Sequence, residues 1–167
     1  MRLRSSESNE TPCERYFEIT PARTEVEARR GSIGDMHPKT EGVLESSLYV
    51  DDVTRSAQFY EKIFGFRVIS DFGERGCAMQ AGDRQVLLLF KKGGSRSIQS
   101  PHDGDGELHI AFAIPKSELA RWEAWLAENG IPIEEKRAWD LGGESVYFRD
   151  PDRHLIEVAT PGVWSVY

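Results

Sequence analysis

Apolar and polar positions along this chain follow one plan twice. From 44 to 50 the residues alternate, so that one strand face carries Leu44, Leu48 and Val50 and the other carries Glu45, Ser47 and Tyr49. The segment 53–64 then has apolar residues at helical spacing and ends at Gly65, 20 residues after Glu45. Hydrophobic strands are predicted next at about 66–72, 77–81 and 85–90. These elements predict a βαβββ unit.

The same order of elements begins again 64 residues later, at His109. A strand at 108–114 carries its large apolar side chains on one face and His109 on the other. The following helix ends near Gly130, 21 residues after His109, and strands are predicted at about 131–138, 145–149 and 155–159. The sequence therefore predicts an α+β fold of paired βαβββ modules, at about 43–92 and 107–160.

Residues 1–40 differ in composition from the rest of the chain, because Arg, Glu, Ser and Thr dominate and apolar residues show little period. Such a segment cannot bury much surface, so we expect 1–40 to be a disordered N-terminal extension and 41–167 to be a single domain. Met36 stands just before this domain. Either translation begins at Met36, or the leader is a genuine flexible tail; mass spectrometry of the native N-terminus distinguishes the two.

Charge and cysteine content exclude several classes of function. The formal net charge is −7, and residues 1–40 hold as many basic as acidic side chains, so the negative excess lies within 41–167. An acidic domain disfavours nucleic acid and anionic membranes as partners. The two cysteines, Cys13 and Cys77, suggest no disulfide framework, and no apolar run has the length of a signal or a membrane span. We therefore expect a cytoplasmic protein.

Three side chains that can bind a metal occupy strand faces opposite the apolar packing. Glu45 and His109 open the two repeat units, and Glu157 lies between Ile156 and Val158 in the last strand. Two carboxylates and an imidazole in the hollow of a curved sheet form a facial ligand set that leaves positions free for water or substrate on a divalent ion. Taken singly, each has an ordinary explanation as a rim glutamate, a hydrogen-bonded histidine or the ion-pair partner of a nearby arginine. Their repeat-related positions favour the metal site.

Motifs along the domain carry a family resemblance. They are Leu48-Tyr-Val-Asp-Asp52, Phe59-Tyr60, Phe64-Gly65-Phe66, His109-Ile-Ala-Phe112 and Phe148-Arg-Asp-Pro-Asp-Arg-His-Leu-Ile-Glu157. With them, residues 42 to 164 resemble the vicinal oxygen chelate superfamily, which contains glyoxalase I, fosfomycin-resistance thiol transferases, extradiol dioxygenases and bleomycin-resistance proteins. The resemblance implies paired modules that form a cup-shaped mixed sheet around one metal. It also implies a homodimer, because many relatives assemble modules across two chains.

The resemblance implies metal ligation by Glu45, His109 and Glu157, each of which matches a ligand position of the family. Mn, Fe, Co, Ni and Zn all suit such a set, and the sequence does not choose among them. Two positions depart from the family pattern. Relatives usually have His or Gln where this chain has Glu45, and glyoxalase I has a further Glu ligand where this chain has Leu88.

The leading hypothesis is a divalent-metal-dependent enzyme that acts on a small oxygen-bearing substrate chelated to the ion. Lyase or isomerase chemistry is favoured over extradiol-type dioxygenation because the first ligand is not His. Glu157 is the candidate for moving protons, and Tyr49 either orients the substrate or forms part of the wall. His102, in a Gly-, Ser- and Asp-rich connection, is either a mobile acid or base or an exposed loop residue. The alternative class is a metal-free small-molecule or drug-binding protein of the bleomycin-resistance type.

Overall fold

The first repeat folds into the elements that its alternation and helical period predict. The computed structural model describes residues 38–167. In the first module the elements are β1 (Glu45–Val50), α1 (Val53–Phe64), β2 (Arg67–Asp71), a short 3₁₀ turn (Gly73–Arg75), β3 (Gly76–Gln80) and β4 (Val86–Lys91). Asp52 caps the start of helix α1, where its side chain accepts a hydrogen bond from the Arg55 N–H at 3.0 Å, and Gly65 caps the end with φ 70°.

The second repeat folds on the same plan. Its elements are β5 (His109–Ala113), a 3₁₀ turn (Lys116–Glu118), α2 (Leu119–Glu128), β6 (Ile133–Ala138), β7 (Glu144–Arg149) and β8 (Leu155–Ala159). The two mixed sheets have strand orders β1-β4-β3-β2 and β5-β8-β7-β6. In each sheet the first strand runs parallel to the last, and the remaining pairs are antiparallel. This repeated topology confirms the predicted α+β fold of paired βαβββ modules.

The two modules pack through their helix-bearing sides. Phe64 at the end of α1 lies 4.7 Å from Phe112, 5.0 Å from Trp122 and 6.2 Å from Phe148, measured between ring centroids. Residues of both sheets and both helices thereby share one core. The opposite face of β5 stays open, because His109, Ala111 and Ala113 are exposed while the residues between them are half-buried.

The turn between β7 and β8 joins the second module to the first. Asp152 accepts hydrogen bonds from the Asp51 N–H at 2.8 Å, from Arg55 at 2.9 Å and from Ser56 at 2.6 Å. His154 is fully buried and links the Leu108 N–H, at 3.1 Å, to the Tyr49 carbonyl, at 3.0 Å. This turn therefore sets the position of β8, which carries Glu157, relative to β1, which carries Glu45.

Residues 42–167 form one compact unit. The predicted extension at 1–40 and the alternative start at Met36 concern residues that lie, apart from 38–40, outside the described part of the chain. Among the described residues, no helix has both the length and the apolar character that crossing a membrane requires.

Candidate functional site

His109 and Glu157 face each other on neighbouring parallel strands. The β5–β8 register sets His109 opposite Leu155 and Ala111 opposite Glu157, so the two side chains share one sheet face. His109 Nε2 lies 3.2 Å from Glu157 Oε2, and the side chains are 49% and 7% exposed respectively. The strand period therefore presents one half-exposed imidazole against a buried carboxylate.

The hydrogen bond on the far side of the imidazole determines what His109 offers to this contact. His109 Nδ1 lies 3.1 Å from the Leu155 carbonyl, which can only accept a hydrogen bond, so Nδ1 carries the proton. In the neutral ring Nε2 then has a bare lone pair. An ionised Glu157 oxygen is also an acceptor, so these two atoms at 3.2 Å need a shared proton or a cation between them.

Glu157 is oriented from its other oxygen by a short hydrogen-bond relay. Trp139 Nε1–H donates to Ser145 Oγ at 2.9 Å, and Ser145 Oγ–H donates to Glu157 Oε1 at 2.5 Å. Ser145 is 1% exposed, so water does not compete for this bond. Tyr147 lies on the same side, where burial raises the pKa of its phenol and the negative charge of Glu157 raises that pKa further. The carboxylate is thus held in one rotamer by buried partners.

Aromatic side chains surround this half of the site. Trp139 lies 6.2 Å from Trp164 between ring centroids, and the Arg137 guanidinium stands 5.2 Å from the Trp139 ring. Arg137 also forms an ion pair with Glu135 at 2.9 Å. The open face of the second module therefore combines an imidazole–carboxylate pair with an aromatic wall.

Glu45 lies at the start of β1 in the first module and is exposed. The described residues contain no group of three His, Cys, Asp or Glu side chains arranged to hold a metal ion. Within one chain, then, the structure brings together His109 and Glu157 but not Glu45. A groove of about 600 Å³ is lined by β1 from Glu45 and by β5 through Ala111 and Ala113. β1 and β5 are the outer strands of their sheets.

Tyr49 shares the open face of the first module with Glu45 and contacts the connecting loop. Its hydroxyl lies 2.7 Å from His102 Nδ1. Burial raises the pKa of Tyr49, and the charge of Asp103 adds to the shift. Leu88 is buried on this face with Ala78 and Phe90. The loop histidine is therefore half-buried against the sheet rather than free in solvent.

Residues 42–158 match the model of the Glyoxalase/Bleomycin resistance protein/Dioxygenase superfamily. The chain belongs to this superfamily. The resemblance recognised in the sequence motifs is thereby confirmed.

Several superfamily members are similar to this chain in sequence. Metallothiol transferase FosB of Staphylococcus epidermidis is 34% identical over 113 residues, which cover 66% of this chain and 75% of that protein. The FosB protein of Shouchella clausii is 30% identical over 121 residues, 71% of this chain and 80% of its own length.

Solved structures of similar proteins share the fold of this chain. Lactoylglutathione lyase from Agrobacterium tumefaciens superposes with a TM-score of 0.71 at 28% identity, over 77% of this chain and 99% of that structure. A fosfomycin resistance protein, FosX, from Listeria monocytogenes in complex with Mn(II) has a TM-score of 0.56 at 23% identity, over 72% and 90% of the two chains. The second likeness concerns the fold alone.

Sequence reasoning missed part of this candidate site. Neither Ser145 nor Tyr147 was singled out, although both alternate with apolar residues on β7. The period of β7 indicates their shared face. No sequence signal indicated that Ser145 would bond Glu157, because their pairing depends on the β7–β8 register.

Proposed function

We propose that this chain is a divalent-metal-dependent enzyme that acts on a small oxygen-bearing substrate. The observation that carries the proposal is the 3.2 Å contact between His109 Nε2 and Glu157 Oε2, two acceptors that a cation would satisfy. Transition-metal bonds to His nitrogen and carboxylate oxygen are both about 2.0–2.2 Å long, which is compatible with this separation for two ligands of one ion. Mn, Fe, Co, Ni and Zn remain the candidate ions.

Glu45 completes the ligand set in this proposal, and it comes from a second copy of the chain. Three observations support a homodimer that shares its sites. His109 is half-exposed, Glu45 is exposed on a separate module, and β1 and β5 are outer strands that line an open groove. In a two-fold dimer each chain would supply Glu45 to one site and the His109–Glu157 pair to the other.

The bound ion would supply Lewis-acid stabilisation of an oxyanion on the substrate. The chain's own residues have separate tasks. Ser145 and Trp139 hold Glu157 in place, and Tyr49, whose hydroxyl lies 2.7 Å from His102 Nδ1, would donate a hydrogen bond on the face that carries Glu45. Cys77 is buried in the core, where burial raises the pKa of its thiol, so it is no candidate nucleophile.

Lyase or isomerase chemistry is the first candidate reaction, supported by the structural likeness to lactoylglutathione lyase. Transfer of a thiol to a small substrate is the second, supported by relatives named metallothiol transferase FosB, one of them 34% identical to this chain. Glu45 stands where the fosfomycin enzymes and extradiol dioxygenases typically have His. This difference argues against assigning thiol transfer or ring-cleaving dioxygenation to this chain from the relatives alone. A cytoplasmic location remains a prediction.

A metal-free binding protein is the rival function, and the observation that favours it is the apolar cluster of Ala78, Leu88 and Phe90 on the open face of the first module. In that case a proton, not a metal, would join His109 to Glu157 as an ordinary ion pair. Such a protein needs no Glu45.

Elemental analysis of the full chain, purified without chelators, tests the choice. We expect about one equivalent of a transition metal per chain, lost in Glu45→Ala, His109→Ala and Glu157→Gln. Glu128→Ala, which removes an exposed carboxylate at the end of α2, is the matched control and should keep the metal. Failure to bind Mn, Fe, Co, Ni or Zn after reconstitution would reject the enzyme hypothesis in favour of the binding protein.

A further inference from the structure

Arg75 stands apart from the other arginines of the described chain. Six arginines have a carboxylate within 4.0 Å: Arg55, Arg96, Arg121, Arg137, Arg149 and Arg153. Arg67 donates to Gln80 instead. Arg84 is exposed in the turn between β3 and β4. Within residues 38–167, Arg75 is therefore the half-buried guanidinium that lacks a carboxylate partner.

Two phenylalanines position this guanidinium. Its central carbon lies 5.0 Å from the Phe72 ring and 5.2 Å from the Phe90 ring, and the two rings stack at 6.0 Å and 21°. Stacking on aromatic faces satisfies the flat side of an arginine but none of its five in-plane N–H donors. The edge of the Arg75 guanidinium is thus oriented, and no carboxylate of the part of the chain that the structure describes accepts from it.

A tyrosine and a histidine complete the surroundings. The His102 ring lies 4.6 Å from the Phe90 ring, and the Tyr49 ring lies 6.1 Å from it. The loop that carries His102 is closely packed here, because a Cβ added to Gly104 would stand 2.5 Å from Tyr49 Cδ2. We call these five residues, Arg75, Phe72, Phe90, Tyr49 and His102, the Arg75 subsite.

We propose that the Arg75 subsite binds the anionic group of a small organic molecule, a carboxylate or phosphonate attached to an apolar body. The in-plane donors of Arg75 match two oxygens of such a group, and the aromatic rings match the apolar body. Within residues 38–167, a half-buried guanidinium without a carboxylate partner is unusual in a chain of net charge −7, which favours a ligand that supplies the missing negative charge.

As a substrate subsite it rests on the proposed function, because Tyr49 and Glu45 share one strand face. Four residues of extended strand separate them by roughly 13 Å. A substrate that contacted both would lie extended along β1, with its oxygen-bearing end at the metal and its anionic end at Arg75.

The test uses the full chain, stripped of metal with EDTA, and three probes that share a benzene ring. Phenylphosphonate and benzoate carry an anion, whereas benzyl alcohol is neutral. We expect a saturable change in the NMR shifts of the His102 ring with at least one anionic probe and none with benzyl alcohol. Stronger binding of phenylphosphonate or of benzoate identifies the class of anion.

Two variants locate the effect. Arg75→Gln is expected to lower the affinity for the anionic probe by at least about tenfold, because a charge-assisted hydrogen-bonded pair is lost. Arg84→Gln removes an equal charge from the turn at the opposite end of β3 and should leave binding unchanged. The proposal is overturned if benzyl alcohol binds as tightly as the anionic probes. It is also overturned if Arg75→Gln and Arg84→Gln lose the same amount of affinity for the anionic probe. Since no metal is present, this result is independent of the elemental analysis, so failure of the subsite and failure of the metal site are distinguishable.

Discussion

Each oxygen of Glu157 has its own neighbour in the structure. Oε2 faces His109, while Oε1 accepts from Ser145, which in turn accepts from Trp139. A carboxylate held in this way does not have to lose rotamer freedom when it binds an ion. Ser145 is therefore a positioning residue for the candidate metal ligand, not a ligand itself.

At this scale we predict that Ser145→Ala lowers the affinity for Mn(II) by about tenfold or more, the usual effect of removing an outer partner of a metal ligand. Electron paramagnetic resonance of free Mn(II) during titration measures the change without reference to activity. Ser145→Thr, which keeps the hydroxyl, should retain affinity, and Ser70→Ala on the exposed strand β2 is the control. An unchanged affinity in Ser145→Ala contradicts the positioning role.

At the scale of elements, the β7–β8 turn joins the two modules through hydrogen bonds. The side chain of Asp152 is fully buried and accepts from Asp51, Arg55 and Ser56 of the first module. Burial alone would raise the pKa of Asp152, but these hydrogen bonds together outweigh burial and hold the pKa below its ordinary value of 3.8. The folded state therefore favours the charged carboxylate.

Asp152→Asn should consequently lower the free energy of unfolding at pH 7 by about 1.5–3 kcal/mol, the range for a hydrogen bond to a charged group. Because the pKa is lowered by folding, the contribution of Asp152 is present above pH 3.8 and is lost as the pH falls through the lowered pKa. Urea denaturation at pH 7 and pH 3 should then show a smaller difference between variant and wild type at pH 3. Asp140→Asn, in an exposed turn, is the control; an equal difference at both pH values would argue against the linkage.

At the scale of the whole molecule, packing through the helix sides leaves the two faces that carry the candidate ligands apart. His109 and Glu157 meet in the second module, and Glu45 remains exposed in the first. In the proposed homodimer each chain would contribute half of two sites, which would resolve this separation and make metal binding depend on association of the two chains.

Mixing two defective variants tests this arrangement directly. Glu45→Ala and His109→Ala should each bind no metal alone, whereas exchange of chains produces a heterodimer with one intact site. Random exchange should restore about one quarter of the wild-type sites, because half of the dimers are mixed and one of their two sites is intact. Metal content after mixing and refolding is the measurement. No recovery, with dimers present in sedimentation, would place all ligands within one chain or remove Glu45 from the set.

Local signals determined much of the fold in advance. Helix α1 occupies Val53–Phe64 as predicted, because Asp52 caps its start and Gly65 takes the left-handed conformation at its end. The strand period of two likewise indicated that Glu157 faces away from Ile156 and Val158, which are buried in the core. Cap chemistry and periodicity act between residues close in sequence, so one chain is enough to reveal them.

The partners of those residues were decided only by tertiary structure. Ser145 meets Glu157 through strand register, His102 meets Tyr49 across 53 positions, and Arg75 becomes exceptional only because Arg149, the other half-buried guanidinium of the described residues, finds carboxylate partners. Sequence by itself determined the modules, their faces and the candidate ligands, since those follow from local periodicity. Which ligands meet, and which charge stays unpaired, depends on how the modules pack, and that is decided by long-range contacts that no local pattern encodes.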